Sequence, residues 1–115
     1  MKVINSRFHG IIDYLVVVFL VLSPTIFGLP ELAATFAYIL AGVHLLLTVL
    51  TSFEFGVIKL ISFKLHGVIE LIVSFALVGL AFYLGAEEGG LARNFYIGFA
   101  VAVFLTWLLT NYRSA

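Results

Sequence analysis

The chain contains no cysteine, and only 10% of its residues are charged. Without thiols there is no disulfide, no thiolate metal site and no thiol redox chemistry. That excludes a quinone-linked disulfide oxidoreductase. Six Lys and Arg balance six Asp and Glu, whereas an ordinary soluble domain is about one-quarter charged. Zero net charge without a basic patch argues against nucleic acid as a partner. Low charge with high hydrophobicity is the opposite of the disordered signature. No G-x-S-x-G, Walker or H-E-x-x-H motif is present. No lysine lies deep in an apolar run, which disfavours a retinal-type Schiff base.

What fills the sequence instead is apolar: 63% of 115 residues are hydrophobic. A water-soluble sphere of this size cannot hide so much apolar surface, so the expectation is a single membrane domain over 1–115. A membrane helix needs about 20 mostly apolar residues. The uncharged runs are 14–30, 32–53, 71–86 and 94–112. The first and third are short and must extend backwards. The predicted helices are therefore about 8–27, 32–52, 65–84 and 92–111. This extension places Asp13 and Glu70 inside spans. The N-terminal run lacks a small-residue cleavage site and reads as a span.

Five of the six cations (Lys2, Arg7, Lys59, Lys64 and Arg113) fall on one side of these spans, and only Arg93 on the other. The excess marks the cytoplasmic face and predicts cytoplasmic termini. The segment 53–63, F-E-F-G-V-I-K-L-I-S-F, is too apolar for a free loop and too short to span, so a short interfacial helix is expected. Turns are expected near 24–31 and 85–90, which are rich in Pro or Gly.

The sequence repeats itself. At an offset of 57, Arg7-Phe8-His9-Gly10-Ile11-Ile12-Asp13 falls on Lys64-Leu65-His66-Gly67-Val68-Ile69-Glu70. Leu20-Val21 falls on Leu77-Val78, and Gly28 on Gly85. Near the end the offset becomes 59, where Val49-Leu50-Thr51-Ser52-Phe53 matches Leu108-Leu109-Thr110-Asn111-Tyr112. The expected fold is all-α: a four-transmembrane-helix bundle made of two tandem hairpins, 6–53 and 63–112. Each copy holds two spans, so the copies share one orientation and relate by a pseudo-twofold along the membrane normal.

Leu22-Ser23-Pro24-Thr25-Ile26-Phe27-Gly28, with the duplicated His-Gly-x-x-acid helix start, resembles the SPW-repeat integral membrane proteins of bacteria. Thr25 stands where that signature has Trp, and the second copy reads Leu80-Ala81-Phe82. The resemblance implies a four-span, two-repeat fold in the bacterial cytoplasmic (inner) membrane. It implies no activity.

The candidate site is His9, Asp13, His66 and Glu70. Each His precedes its acid by four residues, which places both on one helix face. Ionisable groups inside spans are costly and turn inward and pair. Three readings follow. The first is structural: acids favoured near helix starts, with Gly10 and Gly67 permitting close approach and Arg7 and Lys64 pairing with carboxylates or headgroups. The second is a divalent-metal or cofactor site, and the third a proton relay; the sequence requires no cofactor. His44 is a second candidate, near the middle of its span. It suits an interhelical hydrogen bond, a haem ligand or a quinone contact, at a depth that His9 and His66 do not share. The aromatics Tyr14, Phe53, Phe55, Phe63, Tyr83, Tyr96 and Tyr112 are expected in interfacial belts, Gly42, Gly79 and Gly98 at close helix contacts, and Thr51, Ser52, Thr110 and Asn111 on helix-end backbone groups.

The favoured function is a non-catalytic membrane module that forms a homo-oligomer or joins a larger membrane complex in the lipid bilayer. The alternatives are a proton or small-ion transporter or channel, and a metal- or cofactor-binding membrane enzyme, both using the His/carboxylate cluster.

Overall fold

The structure is a computed structural model and describes residues 2–113. The Asn5 side chain accepts the Phe8 N–H at 2.9 Å and starts the helix Ser6–Phe27, α1. Capping side chains of this kind satisfy amide groups that the first turn leaves orphaned. Pro24 lies in the last turn, and Gly28 closes the helix in the left-handed region at φ 61, a conformation glycine adopts without penalty.

The helix Glu31–Val49, α2, follows after a three-residue turn (28–30). Its N-cap is Pro30, which supplies no side-chain acceptor. Glu88, more than fifty residues away, does so instead. Its two carboxylate oxygens accept the Leu32 and Ala33 N–H groups, each at 2.8 Å. An anion at a helix N-terminus also complements the helix dipole. The buried face of α2 carries Ala33, Ala37 and Ala41, four residues apart. Small side chains at that spacing let two helices approach closely where lipid offers no hydrophobic drive.

The helix Phe63–Glu88, α3, is capped by Ser62, whose hydroxyl accepts the Leu65 N–H at 3.1 Å. It runs four residues past the predicted end, through Gly85, and so delivers Glu88 to the start of α2. Gly89 at φ 99 is the whole connection to the helix Gly90–Leu109, α4. α1 packs chiefly on α2, and α3 chiefly on α4. Leu20, Leu77, Leu84, Tyr96 and Phe99 fill the shared core. All four helices are long and apolar enough to cross a membrane. Away from the helix ends their exposed side chains are mostly apolar, consistent with contact with a lipid bilayer.

The segment 53–63 is not a helix. Two-residue strands, Thr51–Ser52 (β1) and Ile61–Ser62 (β2), pair in parallel, and the chain between them folds as turns. The backbone at 50–52 pairs laterally instead of extending α2, so that helix ends at Val49 and not near 52. An isolated parallel bridge joins Ile4 to Thr110 at the other end of the chain. The amides of Leu60 and Ile61 donate to Leu50 O, and those of Val3 and Ile4 to Leu109 O.

The glycine expectations are corrected as well. A Cβ on Gly42, Gly79 or Gly98 would meet nothing within 4 Å, so these glycines mark no close helix contact among the described residues. Tyr96 and Phe63 are buried core residues and not belt residues. The Tyr96 hydroxyl donates to Ala33 O at 2.6 Å.

Candidate functional site

His9, Asp13, His66 and Glu70 meet on one level of the bundle, and all four are buried. One atom from each lies within 4.8 Å of the other three. The pairing crosses between helices. Glu70 Oε1 takes both imidazoles: His9 Nε2 at 2.7 Å from α1 and His66 Nε2 from within α3. Asp13 sits across from it, with Oδ1 3.2 Å from His9 Nε2 and Oδ2 3.2 Å from His66 Nε2.

His44 joins this group. Its Nε2 lies 3.3 Å from Asp13 Oδ1, which corrects the expectation of a separate depth. The reason is the early end of α2. His44 is five residues, about 7.5 Å, from the end of α2, and Asp13 is seven residues, about 10.5 Å, from the start of antiparallel α1. The ion pairs of Asp13 and Glu70 among the described residues are all with histidine. Arg7 and Lys64 are exposed and pair with neither carboxylate.

Two threonines, which the sequence placed only at helix ends, fix the imidazoles. Thr110 Oγ1 lies 2.5 Å from Thr106 O and 2.9 Å from His9 Nδ1. Thr51 Oγ1 lies 2.6 Å from Leu47 O and 2.7 Å from His66 Nδ1. A hydroxyl has one proton, and a carbonyl can only accept. Each threonine therefore donates to its carbonyl and offers a lone pair to the ring, so each Nδ1 carries a proton and donates. Both Nε2 atoms are then left facing the two carboxylates. The clue in the sequence was the repeated Leu-Thr pair, Leu50-Thr51 and Leu109-Thr110.

Aromatic rings close the end of the cluster nearest the starts of α1 and α3. Phe63 and Tyr112 lie 5.3 Å and 5.5 Å from the His9 ring, and Phe53 lies 6.2 Å from the His66 ring. Phe53 and Phe63 stack at 5.6 Å. Gly10 and Gly67 make room for these rings, not for each other's helices. A Cβ on Gly10 would stand 2.5–2.6 Å from the Phe55 and Phe53 rings, and one on Gly67 would stand 2.9 Å from Tyr112. The Tyr112 hydroxyl donates to Glu70 Oε2 at 3.3 Å. Burial, reinforced by the Glu70 and Asp13 charges, pushes that phenol well above its usual range. Outside the cluster, Glu54 accepts the Ser6 hydroxyl at 2.7 Å, and this bond holds its carboxyl below the usual range.

A cavity of about 100 Å³ reaches from the carboxylates towards mid-span. Its walls are mostly branched aliphatic side chains from all four helices, with His44, Asp13 and Glu70 at one end.

Two imidazoles with committed Nδ1 protons and two carboxylates form a donor set that suits a divalent transition metal. The same set, carrying protons in place of a metal, is a neutral cluster of imidazolium–carboxylate pairs. Comparison of the chain with protein-family models, curated proteins and solved structures finds no match in any of the three.

Proposed function

We propose that this chain is a four-span protein of the bacterial cytoplasmic membrane that holds one divalent first-row transition metal between two duplicated hairpins. The SPW-repeat likeness is part of the same proposal and adds no activity to it. Both termini lie at the cytoplasmic face with Lys2, Arg7, Lys59, Lys64 and Arg113.

The observation that carries the reading is the state of the two histidines. Their Nδ1 protons are committed to Thr51 and Thr110, so in the neutral rings both Nε2 lone pairs point at carboxylate oxygens. Electron pairs facing electron pairs need a cation between them. A metal-bound His that donates its other N–H to a fixed acceptor is the usual arrangement at protein metal sites. A tetrahedral ion with ligands at about 2.0–2.1 Å spaces those ligands about 3.3 Å apart. The separation of His9 Nε2 from Asp13 Oδ1, 3.2 Å, matches that edge. Imidazole with carboxylate, and no thiolate in the chain, selects an ion such as zinc or iron(II).

The duplication reading rests on paired contacts. His9 with Thr110 has the same partners as His66 with Thr51, at offsets of 57 and 59. The Asn5 and Ser62 caps and the two parallel backbone bridges match at the same offsets. A pseudo-twofold along the membrane normal relates them, and the cluster lies near that axis.

The sequence favoured a non-catalytic module, and the convergence of five polar groups moves the preference to the metal-binding alternative. Assembly with further copies or partners is compatible with it, because the outer helix faces are mostly apolar away from their ends. A second reading has its own observation: Glu70 Oε1 lies 2.7 Å from His9 Nε2, a hydrogen-bond length. In that reading two protons replace the metal and the cluster relays them.

One experiment separates the two. The protein is purified from membranes in detergent without chelator, and its metals are measured by elemental mass spectrometry. The metal reading expects about one zinc or iron per chain, lost in His9→Ala plus His66→Ala. Metal at trace level in the unmutated protein overturns it and leaves the proton reading.

A further inference from the structure

Where the four-residue cluster meets the cavity, two side-chain atoms are left without an aligned hydrogen bond. Asp13 Oδ2 and His44 Nε2 are buried polar atoms that make no aligned hydrogen bond among the described residues, and the nearest charged neighbour of Oδ2 is His66 Nε2 at 3.2 Å. Asp13 is 2% exposed, and both side chains line the cavity. His44 Nε2 stands 3.3 Å from Asp13 Oδ1 without the alignment of a hydrogen bond. Buried polar groups are rarely left unpaired, because each costs about 1–3 kcal/mol.

The cavity is partly open. Its exposed lining residues are Val43 on α2 and Ala102 on α4. Both lie in the apolar spans, so the mouth opens sideways, between α2 and α4, into the hydrocarbon of the bilayer. Val16 on α1 and Val73 on α3 also line it. A molecule entering this way comes from the lipid phase. It meets aliphatic surface first and last two polar atoms that have no aligned hydrogen bond.

We infer that this slot binds a lipid-soluble phenol or hydroquinone: one aromatic ring, at least one hydroxyl, and a hydrocarbon tail left in the bilayer. Asp13 Oδ2 is an acceptor only, so the ligand must supply a donor, and the ring hydroxyl does so. His44 Nε2 takes the second polar contact with the same hydroxyl. Size limits the head group. An apolar cavity of about 150 Å³ accommodates benzene, so a slot of about 100 Å³ admits the hydroxyl-bearing edge of one ring while the rest of the ring stays in the opening, and a phospholipid head does not enter. The inference does not rest on the metal. A carboxylate that gives one oxygen to an ion keeps the other for a ligand.

The test uses the full-length protein in lipid nanodiscs with a short-tailed alkyl hydroquinone as probe, kept reduced under argon. Binding is read by saturation-transfer NMR and by equilibrium partition against empty nanodiscs, and metal content is measured on the same samples. The expected result is saturable binding beyond partition into empty discs. It weakens at least tenfold for the dimethyl ether of the probe, which has no donor, and at least fivefold in His44→Leu. Ala102→Phe, which blocks the mouth and touches no proposed metal ligand, abolishes it with metal content unchanged. Ala102→Leu serves if the larger ring prevents folding. Equal binding of the hydroquinone and its diether overturns the inference, and so does undiminished binding in both Ala102 variants. Either result with metal present leaves the proposed function standing.

Discussion

Replacing Thr51 or Thr110 by valine tests whether these hydroxyls set the histidine tautomers. Valine keeps the shape and removes the acceptor at 2.7 Å from His66 Nδ1 or 2.9 Å from His9 Nδ1. The ring N–H is then buried without a partner, at a cost of about 1–3 kcal/mol. It escapes by moving its proton to Nε2, the atom that faces the carboxylates. Either response weakens a metal held through Nε2. At 1.4 kcal/mol per factor of ten, the range corresponds to about 5- to 150-fold in affinity, and outer-shell changes at metal sites give about 10- to 100-fold. The assay is competition for zinc against a fluorescent chelator at fixed pH in detergent. Thr51→Ser restores most of the affinity. Thr48→Val is the control: Thr48 is buried in the last turn of α2, three residues before Thr51, and donates to His44 O at 2.8 Å, with no imidazole among its hydrogen-bond partners. Because both histidines meet Glu70, the double valine variant falls short of additivity. If Thr51→Val binds zinc within twofold of the unmutated protein, or if Thr48→Val loses as much, the tautomer argument is wrong.

Further expectations follow from other contacts. Gly67→Ala drives a methyl into the Tyr112 ring at 2.9 Å and lowers the thermal midpoint, and Tyr112→Ala in the same chain recovers part of the loss. Glu88→Ala leaves the first amides of α2 without their cap, at about 1 kcal/mol; the thermal midpoint falls, and Glu88→Gln recovers less than half because the charge is gone. Tyr112 keeps its proton above the ordinary phenol range when folded. Stability from this group is therefore complete below pH ~10, the unfolded value, and declines as pH rises above it. Tyr112→Phe flattens that alkaline decline in a denaturation series.

Much of the site was legible because its chemistry is local. His and acid four apart share a face in any helix, and the offset of 57 repeats the pair. Span length alone put Asp13 and Glu70 inside the bundle. The cross-pairing was not legible, since nothing in the i, i+4 spacing says that Glu70 takes both imidazoles while Asp13 bridges three. His44 was misplaced because its depth depends on where α2 stops, and two-residue strands at 51–52 and 61–62 leave no periodic trace. Thr51 and Thr110 were read as serving helix-end backbone. They do bond the carbonyl four residues back, and that bond is what frees a lone pair for histidine. Phe53, Phe63 and Tyr112 looked like an interfacial belt because aromatic residues near span ends sit in either place. Only the fold of 53–63 decides that their rings cover the imidazoles.

X-ray absorption at the metal edge of the membrane-purified protein addresses the central claim directly. The account predicts one zinc or iron per chain with four nitrogen and oxygen neighbours at about 2.0–2.1 Å and the outer-ring scattering of two imidazoles. Asp13→Asn plus Glu70→Gln abolishes that signal. A spectrum without imidazole scattering, or one unchanged by that double substitution, contradicts it.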